Sequence, residues 1–149
     1  MRAGHHEGDL LMRAARTLRR RWAQSLAPWE LSPHQARALR VICAVEADRA
    51  GPPRLSDIAE ALHIAPRSAT EVIDNLEGQG LVSRSPSPHD RRAVLVAPTD
   101  RGQQVRRAIE RARVEEADDF FGPLTEADRS ALVSILEKTM TVQEAGHRH

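Results

Sequence analysis

The stretch LSDIAEALHIAPRSATEVIDNLEGQGLV, residues 55–82, decides the fold. Its first eight residues place Leu55, Ile58, Ala59 and Leu62 on one side of a helical projection, as in a short helix with one apolar stripe. His63-Ile64-Ala65-Pro66 breaks that helix, because the residue before a proline is pushed away from helical geometry. From Arg67 to Gln79, Ala69, Val72, Ile73 and Leu76 recur at the spacing of a buried stripe. That leaves Arg67, Ser68, Thr70, Glu71, Asp74 and Asn75 facing outward, and Gly80 reads as the left-handed stop. Two short amphipathic helices sharing a tight turn form a helix-turn-helix.

After Gly80 the pattern changes. Leu81 to Ser83 and Val94 to Val96 read as short strands, with Ser85-Pro86-Ser87-Pro88-His89-Asp90-Arg91-Arg92 as the long polar tip of a hairpin. Thr99 can cap a helix whose Val105, Ala108, Ile109, Ala112 and Phe120 face one way, until Gly122 and Pro123 stop it. A final helix opens at Thr125, with Asp128 three residues on, and is expected to bury Ala131, Leu132, Ile135, Leu136 and Met140. The tail from Gly146 to His149 reads as disordered.

Before the helix-turn-helix, Leu11, Ala15, Leu18, Trp22 and Leu26 recur at helical spacing over Leu10 to Leu26, with Arg13, Arg16, Arg19, Arg20 and Arg21 between them. Ser32, Pro33 and Gln35 form a capping box with proline at the first helical position. The second helix they open carries Ala36, Leu39, Ile42 and Cys43 on one face and ends before Gly51-Pro52-Pro53. The expected architecture is mainly α with a small β-hairpin, a single domain over residues 1–149.

Composition narrows the class. With 149 residues and 40% hydrophobic content the chain can bury one core. The 22 basic and 21 acidic residues nearly cancel to +1, so any signal for a polyanionic partner must be local. All but one of the basic residues are arginine, Lys138 being the exception, and a planar guanidinium suits phosphate and guanine. Cys43 is the only cysteine, which excludes an intrachain disulfide and suits a reducing cytoplasm. The polar N-terminal run has no signal-peptide core and no stretch approaches membrane-spanning length, so a soluble cytoplasmic protein is expected. No Gly-rich phosphate loop, nucleophile elbow or paired catalytic carboxylates appear, and Ser83 and Ser85 near His89 on a polar loop make no triad. No enzyme, cofactor or resident metal is expected.

Helix, turn, helix and an arginine-tipped hairpin, in that order, make a winged helix-turn-helix, whose second helix enters the major groove. Arg67, Ser68 and Thr70, near the start of that helix, carry the hydrogen-bonding groups such a helix needs, with Glu71 and Asn75 on the same outward face. Arg91 and Arg92 at the tip can reach a narrow minor groove, and Asp90 can orient one of them. Taken alone, outward polar residues are what any surface helix shows; the wing beside it gives the pattern its meaning.

The chain resembles the MarR family of multiple-antibiotic-resistance-type regulators. The matching stretches are Leu31-Ser32-Pro33-His34-Gln35 with Leu39, Leu55 to Leu62, Thr70 to Val82, and His89-Asp90-Arg91-Arg92 continuing to Pro98-Thr99-Asp100-Arg101-Gly102. The resemblance implies a homodimer joined through residues of about 9–27 and 99–143, a winged-helix DNA-binding lobe over about 32–98, and a crevice between them. It further implies release from double-stranded DNA by small anionic or phenolic aromatics. By position, Asp90 and Arg92 match the family's wing aspartate and minor-groove arginine. Arg67, Ser68 and Thr70 match its groove-facing positions. Ala65 stands where a capping serine is usual and Glu71 where a basic or polar residue is common, so the preferred base sequence does not carry over.

Candidate effector walls are Trp22, Trp29, His34 and Arg37, around the junction of the first two helices. Three other functions make different demands on the sequence. A redox switch would need Cys43, which the apolar face of the second helix makes a buried hydrophobe. A metal sensor would need compact ligand spacing, which His5, His6, His34, His63, His89, His147 and His149 show only at the chain ends. A helical protein-interaction module without DNA binding would show salt-insensitive association instead.

Overall fold

Ser32 and Gln35 cap reciprocally: the Gln35 backbone N–H donates to Ser32 Oγ at 3.1 Å, and the Ser32 N–H to Gln35 Oε1 at 3.0 Å. The same exchange links Thr125 and Asp128, at 3.1 Å in each direction. Thr99 Oγ1 accepts from the Gly102 N–H at 3.0 Å. Three of the helices therefore begin where their capping residues dictate.

The computed structural model describes residues 6–49 and 51–146. In order these form α1 (Glu7–Ser25), a 3-10 turn (Ala27–Trp29), α2 (Pro33–Arg49), α3 (Leu55–Leu62), α4 (Pro66–Gly78), β1 (Val82–Pro86), β2 (Val94–Pro98), α5 (Asp100–Phe120) and α6 (Glu126–Gly146). The mainly α fold with one small hairpin is as expected from the sequence. Both strands run longer than the apolar pattern suggested, pairing antiparallel from Val82 with Pro98 to Pro86 with Val94, which shortens the tip. The segment before α3 joins the hairpin: Arg54 bridges Leu95, and the Val96 N–H donates to Pro53 O at 2.9 Å.

The core lies beneath the helix-turn-helix. Leu39 and Ile42 of α2, Ile58 and Leu62 of α3, Ile73 and Leu76 of α4, and Leu81, Val82 and Val96 of the hairpin are almost fully buried. Gly80 takes the left-handed conformation, φ 73°, that turns the chain from α4 into the hairpin. In the α3–α4 turn that role falls to His63, φ 54°, a residue type that tolerates it better than most.

Two expectations fail within the single chain. Among its described residues α6 has no fully buried side chain, and of its expected core face Ile135 (62% exposed), Met140 and Ala131 are open, while Leu132 and Leu136 are only half-buried. Leu11 on α1 is likewise exposed, alongside Leu10 and Met12. Their apolar spacing is real, but none of the described residues covers it. Among the described residues no helix is long and apolar enough to cross a membrane. His5, His147 and His149, and all but the first residue of the tail read as disordered, lie outside the described residues.

Candidate nucleic-acid interface

α4 presents Arg67, Ser68, Glu71 and Asn75 exposed, and none of the four side chains has a hydrogen-bond or ion-pair partner among the described residues. Thr70 differs: it is half-buried, and its hydroxyl donates to Pro66 O at 3.0 Å, leaving only its oxygen lone pairs to accept. Ala65 at the N-cap offers no side-chain cap, so the first-turn N–H groups of α4 stay open to an anion.

At the hairpin tip Arg91 and Arg92 are exposed. Asp90 pairs with neither guanidinium. Its Oδ1 instead accepts from the Arg92 backbone N–H at 3.0 Å while its carbonyl accepts from the Ala93 N–H at 3.0 Å, an Asx-type turn that shapes the tip. Asp90 is expected to orient an arginine side chain; in the structure its carboxylate is engaged by the backbone of the turn instead.

The sequence reading missed the residue that joins these two elements. Arg84 of β1 donates through Nη1 to Glu77 Oε1 at 3.0 Å and through its backbone N–H to Glu77 Oε2 at 3.1 Å. Its Nη2 bonds Asp74 and reaches Thr70 O at 3.4 Å. Partial burial alone would weaken the guanidinium's charge, but the bonds and charges of Asp74 and Glu77 outweigh it and raise its pKa above the ordinary arginine value. The acid pair three residues apart on the outward face of α4 was the available signal.

On the opposite side of α2, a cavity of about 520 Å³ opens between α1, α2 and α5. Trp22 and Arg37 line it as expected; Trp29 and His34 do not. Trp29 sits in the 3-10 turn against a separate shallow pocket with Glu30, Arg101 and Val105, and His34 points to solvent. The walls missed from sequence are Arg40, Arg106 and Arg113, with Arg19 and Arg20 from α1. Arg113 stacks 3.9 Å from the Trp22 ring, whose Nε1–H donates to Arg113 O at 3.2 Å. Burial first, and then the Arg40 charge, lowers the Arg113 pKa, with Glu110 opposing.

Cys43 is 6% exposed, and burial pushes its thiol pKa up despite the nearby Arg106 charge. This is the environment of an inert core thiol. Among the described residues no group of three or more His, Cys, Asp or Glu side chains is placed to hold a metal ion.

Residues 31–94 match the model of the MarR family. A relative from Thauera aromatica, named as a putative transcriptional regulatory protein for the hcr operon, is 34% identical over 83 residues, covering 56% of this chain and 50% of that protein. The chain spans 50% and 64% of the length of the first two curated relatives it matches. Among solved structures, Bordetella bronchiseptica BpsR, described as regulated in DNA binding by 6-hydroxynicotinic acid, superposes with a TM-score of 0.67 at 26% identity, covering 94% of this chain and 96% of that one. A Staphylococcus aureus MepR mutant bound to an oligodeoxyribonucleotide gives 0.70 at 19% identity, over 94% and 99% of the two chains. Residues 31–94 thus carry the match to the MarR family, and the fold of the whole chain is the one shared by the solved BpsR and MepR structures.

Proposed function

We propose that the protein is a homodimeric DNA-binding transcriptional regulator of the cytoplasm, repressing from a near-palindromic promoter site and released by a small aromatic or phenolic anion. The observation that carries the reading is the α4 face with unpartnered Arg67, Ser68, Glu71 and Asn75 beside a tip bearing Arg91 and Arg92. Base edges need free hydrogen-bonding side chains, and a wing arginine needs freedom to enter the minor groove. BpsR and MepR carry the same fold, and relatives are named as transcriptional regulators rather than enzymes.

Residues of about 32–98 form the DNA-binding lobe in this reading. Those of about 9–27 and 99–143 form the dimer, where a second copy covers the open apolar faces of α1 and α6. The two recognition helices then lie one DNA turn apart, roughly 34 Å. Binding of the purified protein to duplex from its own promoter region, against random duplex across a salt series, tests this. Selective binding that weakens steeply with salt is expected. Arg92→Ala should weaken binding on every sequence and Arg67→Ala should relax preference at particular base pairs; equal loss from both on all duplexes would sink the division of roles.

A further inference from the structure

The cavity between α1, α2 and α5 carries six arginines, Arg19, Arg20, Arg37, Arg40, Arg106 and Arg113, against one carboxylate, Glu110. Six positive charges and one negative leave +5 on one chamber, in a chain whose total is +1. None of the six has an ion-pair partner among the described residues. Two of them show the cost directly: Arg106 Nε is buried with no hydrogen-bond partner, and burial together with the Arg40 charge depresses the Arg113 pKa. Arg19, Arg20, Arg37 and Arg40 are exposed at the rim while Arg106 and Arg113 are half-buried; like charges gathered around one chamber repel, most where water is excluded, and an anion seated among them relieves that repulsion.

The rest of the wall is apolar, with Trp22, Leu26, Leu39 and Ile109 between the guanidinium groups, and the volume of about 520 Å³ falls in the range of small-molecule sites. The cations come from three helices, so a single carboxylate can engage only part of the set. We infer that this cavity takes an organic anion with at least two negative charges separated by an aromatic body. The inference rests on the effector part of the proposed function, and it narrows that part from small aromatic or phenolic anions to dianions. The Trp22 ring and the Arg113 guanidinium stacked on it supply the flat surface, and the arginines of α1, α2 and α5 hold the charged ends.

The chain has two tryptophans, so Trp29→Phe leaves Trp22 as the reporter inside the cavity. Quenching of Trp22 fluorescence in that full-length variant is titrated at constant ionic strength with terephthalate, isophthalate and 2,6-naphthalenedicarboxylate, and with benzoate and benzamide. At least one dianion should bind ten-fold or more tightly than benzoate, with benzamide weakest. Arg40→Gln and Arg106→Gln should each remove most of that preference while far-ultraviolet circular dichroism stays unchanged. Benzoate binding within two-fold of every dianion, a preference that survives both substitutions, or no binding by any probe would overturn the inference. The titration contains no DNA, so a protein that binds a dianion but no duplex would refute the regulator reading and leave the cavity's charge selectivity standing.

Discussion

Gly102 brings the start of α5 close against the backbone of Leu81 at the hairpin root, and replacing it with alanine gives a measurable test. A Cβ there would lie 2.0 Å from the Leu81 carbonyl oxygen and 3.0 Å from its carbon. Carbon–oxygen contacts settle near 3.3 Å, so the two backbones would have to part by about 1.3 Å. Leu81 is held in the core at 2% exposure and cannot retreat. The start of α5 must lift instead, stretching the Thr99 N–H to Leu81 O bond of 3.0 Å and the Thr99 Oγ1 to Gly80 O bond of 2.6 Å. Overpacking costs about 1–3 kcal/mol and a weakened cap about 1 kcal/mol, while alanine's better helix propensity returns about 1 kcal/mol. The net loss of about 1–3 kcal/mol lowers Tm by roughly 3–10 °C in a chain of this size. Thermal unfolding followed by circular dichroism, at one fixed protein concentration because the Tm of any self-associating chain depends on it, reads the shift. Gly78→Ala is the control, since nothing lies within 4 Å of a Cβ at that position and its φ is not positive. A Gly102→Ala protein melting at or above the wild-type temperature would refute the close approach, and with it the packing that joins α5 to the hairpin root.

Arg84→Gln should lower stability by about 1 kcal/mol at most, because Asp74 (61% exposed) and Glu77 are largely solvated. Specific DNA affinity should nonetheless fall about ten-fold at an unchanged salt slope, since Arg84 orients α4 rather than touching phosphate; a slope reduced by about one contact would assign it to the DNA backbone instead. Cys43 should react with a thiol reagent at neutral pH only as the protein unfolds, and stoichiometric labelling of the folded protein within minutes would reverse the assignment. The raised thiol pKa also sets a sign. The unfolded thiol ionises first, so folding stability holds below pH 9 and declines above it, and Cys43→Ala should flatten that decline in denaturant midpoints measured across the range.

What the sequence disclosed and what it withheld follow from the range of the interactions. Capping pairs such as Ser32 with Gln35, the apolar stripe of α4 and the left-handed Gly80 are settled within a few residues, so their spacing carries the information. Arg84 grips α4 from seven to fourteen residues away, and its meaning depends on the hairpin folding back along the helix, which periodicity does not encode. The cavity is more remote still: Arg20, Arg40 and Arg113 each look like solvated surface charges on their own helices, and only the packing of α1, α2 and α5 brings them together. Trp29 and His34 lie at the junction of the first two helices in sequence, yet the 3-10 turn at Ala27–Trp29 aims Trp29 at another surface. The apolar face of α6 stands for the opposite limit, since its spacing marks an apolar surface but holds no record of what meets it. If a second copy does so, Ile135→Arg should shift the sedimentation of the native protein from dimer towards monomer while the core beneath α2, α3 and α4 stays folded. A dimer unchanged by that substitution would mean that the open face of α6 meets something else.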